Sequence, residues 1–120
     1  MSEQVKINYI ELPASDLKAI KLFYSQVFGW VFADYGPDYI AFANSGLDGG
    51  FYRSTQCSVT AKGAALVVLY SKNLQQTQAD IEAAGGVIIK PAFTFPGGRR
   101  FQFLEPGGNE LAVWSERDND

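Results

Sequence analysis

The sequence predicts an α+β domain built from two tandem βαβββ modules, and three observations carry that expectation. A helix start occurs twice, because Asp16-Leu17 returns as Asn73-Leu74, 57 positions further on. Gly29 and Gly86 stand at the same spacing, each where a helix commonly closes with a left-handed residue. Under that displacement Ile10 and Leu12 fall on Val67 and Leu69, while Tyr9 and Glu11 fall on Leu66 and Val68. A cap, a closing glycine and a strand in common register make an internal repeat. A chain of 120 residues is of single-domain size, with module 1 at about 5–53, a linker over 54–62 and module 2 at about 63–116.

Each element has a local reason. Lys6 to Leu12 alternates as a half-buried strand with Ile10 and Leu12 on one face, and Pro13 is expected to end it. Ser15 or Asp16 caps a helix whose apolar residues Leu17, Ile20, Phe23, Tyr24 and Val27 recur at three- and four-residue spacing. Trp30 to Ala33 reads as a strand, Tyr35 to Asp38 as a turn, and Tyr39 to Ala43 as another strand. Glycines from Asn44 to Gly50 make a turn into Phe51-Tyr52-Arg53, and the polar run Ser54 to Lys62 is a linker. In the second half, Ala64 to Tyr70 is a strand, Leu74 to Ala84 a helix capped by Asn73 and closed by Gly85-Gly86, and Val87 to Ile89 a strand. Phe93 to Gly98 reads as a loop and Arg99 to Leu104 as a strand. Glu105-Pro106-Gly107-Gly108-Asn109 is a tight turn into a last alternating strand through Trp114. The tail from Glu116 to Asp120 reads as frayed.

Composition removes several function classes. The chain contains no histidine, which takes away the commonest general base near neutral pH and the commonest transition-metal ligand. Serine–histidine and cysteine–histidine hydrolase designs go with it. Cys57 is the single cysteine, so no internal disulfide or thiol-rich metal site can form. Flanked by Gln56 and Ser58, it reads as a plain surface cysteine. A net charge of -3 speaks against nucleic-acid binding, which needs a clustered excess of Lys and Arg. No apolar run approaches the roughly 20 residues of a membrane span. Met1-Ser2-Glu3-Gln4 lacks the form of a signal peptide, so a cytoplasmic protein is expected.

Taken together, Tyr9-Ile10-Glu11-Leu12-Pro13, Asp16-Leu17, Phe23-Tyr24, Val27-Phe28-Gly29-Trp30 and Glu105-Pro106-Gly107-Gly108-Asn109 resemble the vicinal oxygen chelate superfamily. This is the glyoxalase, bleomycin-resistance and dioxygenase group. The resemblance implies two modules whose sheets curl around a cleft, helices outside, and commonly a homodimer. It also implies a divalent metal held from the first and last strands of each module. The matching positions are Tyr9, Leu66, Ala112 and one residue between Gly49 and Tyr52. Leu and Ala coordinate nothing, and metal-binding relatives carry Glu where Ala112 stands. The expectation is therefore a metal-free member without a cofactor.

Similarity to fosfomycin-resistance members puts Arg100 and Gln102 on the cleft side with Ala112, and Phe101 and Phe103 on the helix side. The expected lining is Tyr9, Glu11, Leu66, Val68, Arg100, Gln102, Ala112 and Trp114. Arg100 is suited to clamp a carboxylate or phosphate, and Trp114 or Tyr9 to stack on a ring. Equally, Arg100 can be an edge residue paired with Glu11, and Gly97-Gly98 an ordinary turn rather than an anion nest. The leading function is binding of a small aromatic or anionic molecule in the cleft. The alternatives are a metal-independent lyase or isomerase acting beside a carbonyl, with Glu11 as base and Arg100 as oxyanion stabiliser, and a domain that works through a partner.

Overall fold

The computed structural model describes residues 4–116. Module 1 comprises β1 (Tyr9–Ala14), α1 (Leu17–Phe28), β2 (Val31–Asp34), β3 (Tyr39–Ala43) and β4 (Asp48–Arg53). Module 2 comprises β5 (Val67–Tyr70), α2 (Leu74–Ala83), β6 (Val87–Phe95), β7 (Gly98–Leu104) and β8 (Glu110–Ser115). The two sheets have matching strand orders, β1-β4-β3-β2 and β5-β8-β7-β6. In each, the first strand runs parallel to the last and the other pairings are antiparallel. The α+β fold of two tandem βαβββ modules is therefore the one the repeat predicts.

Both helices start in the same way. Asp16 accepts from the Ala19 amide and Asn73 from the Gln76 amide, the equivalent N-cap bonds 57 residues apart. Their ends differ. Gly29 closes α1 in the left-handed region at φ 75°, whereas in module 2 the left-handed residue is Gly85 at φ 99°. The repeat thus slips by one residue at the end of α2. Gly86 serves a different purpose, since a Cβ there would lie 2.4 Å from Ile81 Cγ2.

Several strand limits also depart from expectation. Pro13 lies inside β1 rather than ending it, which an edge strand tolerates because its outer amide is not needed. The expected loop at Phe93 belongs to β6, a long strand with register shifts that continues to Phe95. Gly98 opens β7, where a Cβ would lie 2.1 Å from the Ser115 carbonyl oxygen. Neither Gly97 nor Gly98 has a positive φ, so the turn is not the alternating-handed nest that binds anions.

The core lies between the helix-facing sides of both sheets, with α1 shared between them. Tyr24 packs on Phe51 of sheet 1 at 5.0 Å between ring centroids. Phe23 and Phe28 each lie 6.4 Å from Phe103 of sheet 2. The turn before β8 pins the modules together. Asn109 donates to the Pro13 carbonyl at 2.8 Å and accepts from the Ser58 amide at 2.8 Å. Glu105, buried beneath the turn, accepts from Tyr24, Asn109 and the Gly107 amide. Burial outweighs those donors and holds its carboxyl above the ordinary carboxylate value.

Candidate functional site

The sides of the sheets turned away from the core carry the remaining chemistry. On sheet 1, alternation sends Tyr9, Glu11, Tyr39, Asp48 and Gly50 to that side. Glu11 stands opposite Gly50 and Tyr9 opposite Asp48. A Cβ on Gly50 would lie 2.1 Å from the Tyr39 hydroxyl, so the Tyr39 side chain crosses β4 at a position that has no side chain. Its hydroxyl donates to Glu11 Oε2 at 3.0 Å and lies 2.7 Å from the Tyr9 hydroxyl. Partial burial, then the hydrogen bonds with Tyr9 and Glu11, hold the Tyr39 phenol well above its ordinary value. A groove of about 540 Å³ opens beside these groups, walled by Val31, Ala33, Tyr35 and Asp48 among others.

Sheet 2 presents a different surface. Arg100 stands opposite Trp114 and Gln102 opposite Ala112. The Arg100 guanidinium lies over the Phe93 ring at 5.4 Å, and Lys90 lies over the same ring at 4.8 Å. Arg100 Nη2 donates to Gln102 Oε1 at 3.2 Å, while its buried Nε has no hydrogen-bond partner. Trp114 meets Tyr70 edge-on at 5.1 Å and Phe95 at 6.2 Å. Val68, Phe95, Gly97, Arg100 and Trp114 line a groove of about 310 Å³.

Gln102 and Ala112 form the floor of this face rather than free contacts, being 8% and 0% exposed. Gln102 donates to Glu110 Oε2 at 2.7 Å, and Glu110 also accepts from the amide and hydroxyl of Thr60. Those donors, the Thr60 amide foremost, hold Glu110 below the ordinary carboxylate range in spite of its burial.

Within one chain the expected lining is divided. Tyr9 borders the sheet 1 groove, and Val68, Arg100 and Trp114 border the sheet 2 groove. Glu11 lines a third concavity, with Tyr52, Cys57 and Lys62. Leu66 is half-buried just ahead of β5. Glu11 and Arg100 are thus not brought together, and the hydrogen-bond partner of Glu11 is Tyr39. Tyr39, Asp48, Phe93, Phe95 and Glu110 also stand at these faces and are not among the expected site residues. The alternation of Ile40 and Phe42 with Tyr39 was the available signal for the first of these. Its partners were not readable, because they lie across an intervening strand.

Strand register identifies which residue between Gly49 and Tyr52 corresponds to Ala112. Glu11 faces Gly50 as Val68 faces Ala112, so Gly50 is the counterpart of Ala112. Tyr9, Leu66, Gly50 and Ala112 supply one side-chain oxygen between them. Among the described residues, no three His, Cys, Asp or Glu side chains gather as a metal site. This donor set does not fit the divalent metal that the resemblance implies. Among the described residues, no helix is long and apolar enough to cross a membrane.

Comparison with solved structures places the same fold across nearly the whole chain. A glyoxalase-related enzyme from Fulvimarina pelagi superposes with a TM-score of 0.75 at 20% identity, covering 92% of this chain and 88% of that one. A genomically encoded fosfomycin resistance protein from Listeria monocytogenes gives 0.77 at 17% identity, covering 94% of each chain. A lactoylglutathione lyase from Agrobacterium tumefaciens gives 0.70 at 18% identity, covering 97% of each. No curated protein matches the sequence. The family model for the glyoxalase/bleomycin resistance protein/dioxygenase superfamily matches residues 6–113. That match runs from the start of the first module into the last strand of the second, and the chain belongs to this superfamily.

Proposed function

We propose that this protein binds a small aromatic or anionic molecule without a metal, with Arg100 as the principal contact. The observation that carries this reading is the Arg100 guanidinium, held over Phe93 beside Trp114 and Phe95 with its buried Nε unpartnered. A buried donor of this kind gains from an acceptor, and a carboxylate beside aromatic walls supplies one. A family member that holds Gly50 and Ala112 at ligand positions works through such side chains instead of Lewis-acid chemistry.

The proposed working form is a homodimer. Both outward faces are open and apolar in part, with Tyr9, Val31, Val68 and Tyr70 exposed, and contiguous surfaces of this kind favour an interface. Sheet 1 of one copy set over sheet 2 of another would close the cleft that a single chain leaves divided. The alternative reading, a lyase or isomerase with Glu11 as base and Arg100 as oxyanion stabiliser, needs the same closure. The Tyr39–Glu11 hydrogen bond is the observation in its favour.

Calorimetric titration with benzoate and phenylphosphonate tests the binding. Arg100→Ala is expected to weaken it by about ten- to a hundredfold, as loss of a charge-assisted hydrogen bond does. Unchanged affinity in that variant would overturn the assignment. Stoichiometric Zn, Ni, Fe or Mn in the purified protein, lost in Tyr9→Ala, would overturn metal independence. Light scattering that returns a monomer at working concentration would remove the dimer.

A further inference from the structure

The geometry points to a second ligand function on the outward face of sheet 1: recognition of an organic ammonium by an acceptor-only tyrosine pair backed by Asp48. The direction of the hydrogen bonds decides this. Glu11 Oε2 accepts from Tyr39, which uses the only proton on the Tyr39 hydroxyl. At 2.7 Å from that hydroxyl, Tyr9 must then be the donor in their shared bond. With its proton engaged, Tyr9 turns only lone pairs toward the groove.

The surroundings point the same way. Asp48 is the register partner of Tyr9 on the neighbouring strand, so its carboxylate leaves the same side of the sheet. The aromatic and aliphatic walls include Tyr35, Tyr39 and Val31, and among the described residues no Lys or Arg lines this groove. Acceptors, a carboxylate and aromatic faces together suit a cation bearing N–H groups, through hydrogen bonds and cation–π attraction. Among the described residues the lining offers a carboxylate ligand no cationic donor, in contrast to the groove at Arg100.

The site rests on the Proposed function in that the proposed dimer sets this face opposite the Arg100 face of the other copy, and a cation without an acidic group separates the two. The probe is 2-phenylethylammonium, with neutral 2-phenylethanol as its control, followed by amide NMR titration and calorimetry on the full chain. The ammonium is expected to shift the amides of Tyr9, Val31 and Ala33 and to bind several-fold more tightly than the alcohol. Asp48→Asn and Tyr9→Phe are each expected to weaken it by about three- to tenfold, as loss of one exposed polar contact does. Tyr39→Phe is the sharper variant. It frees the Tyr9 proton and is expected to erase most of the preference for ammonium over alcohol without loss of the folded spectrum.

Equal affinity of wild-type protein for ammonium and alcohol overturns the proposal without recourse to any variant. Shifts confined to the Arg100 face overturn it as well, as does an unchanged preference in Tyr39→Phe. Failure of benzoate binding at Arg100 leaves this site standing, and failure of the ammonium leaves Arg100 standing.

Discussion

At equivalent positions on their outward faces, sheet 1 carries Glu11 and Gly50 where sheet 2 carries Val68 and Ala112. Around the first pair lie tyrosines and Asp48, and around the second lie Arg100, Lys90, Trp114 and Phe95. The inward faces diverge far less. Ile10 and Leu12 answer to Val67 and Leu69, and Phe51 to Val113, all apolar. Inward positions must remain apolar because they fill one core, whereas outward positions are free to acquire opposite chemistry on the same backbone. The helices teach a related lesson. In α1, Leu17, Ile20, Phe23 and Tyr24 are buried and the helix packs on both sheets, while α2 buries Leu74 and Ile81 alone.

The largest test of this asymmetry removes the shared helix contact. Phe23 is 2% exposed and touches rings of α1 and sheet 2. Phe23→Ala is expected to lower stability by about 3–5 kcal/mol. If the modules depend on α1 in common, urea unfolding followed by Trp30 and Trp114 fluorescence should shift in concert. Separate shifts would show two independent modules instead.

Next in size is the seam between the modules. Asn109→Ala strips hydrogen bonds from the Pro13 carbonyl, the Ser58 amide and buried Glu105, and is expected to cost about 2–4 kcal/mol. A loss under 1 kcal/mol by chemical denaturation would mean that the seam is replaceable by water.

Smaller again is the difference between Gly50 and Ala112. Gly50→Ala makes sheet 1 match sheet 2 at this position and must displace the Tyr39 ring, costing about 1–3 kcal/mol. The Tyr39 phenol should return toward its ordinary value of 10.0, which ultraviolet titration of tyrosinate detects. An unchanged titration would mean that Tyr39 holds its partners without the glycine.

The smallest effect concerns the two carboxylates flanking the β7–β8 turn. Glu110 lies below its ordinary value of 4.5, so the stability it contributes is present above pH 4.5 and is lost as pH falls through its lowered value. Glu105 is raised, so its contribution is present below 4.5 and is lost as pH rises through its raised value. Thermal melts of Glu110→Gln should therefore show a flatter acid limb than the wild type. An acid limb as steep as before would assign the loss to other groups.

Much of the fold is readable residue by residue. Asp16 and Asn73 cap because a short polar side chain before an apolar helical stripe has one favourable use, and that use is local. Alternation separates the two faces of each strand, while which face of β7 turns to the helices follows from the family resemblance, and Phe101 and Phe103 are fully buried there. The chain is less transparent where a local signal competes with a distant contact. Pro13 reads as a terminator until β1 is known to be an edge strand. Gly86 reads as a helix closer until Ile81 is seen against it.

The sequence by itself determined the repeat, the helix caps and the alternating faces. Each depends on neighbours within a few positions or on residue identity alone. Tertiary structure decided that Tyr9 and Arg100 border different grooves, that Gln102 is held by Glu110, and that Tyr39 reaches Glu11 across Gly50. Those facts depend on which strands lie side by side and which faces turn outward. Strand order and inter-sheet packing are set by long-range burial of the whole core, to which no local stretch of sequence has access.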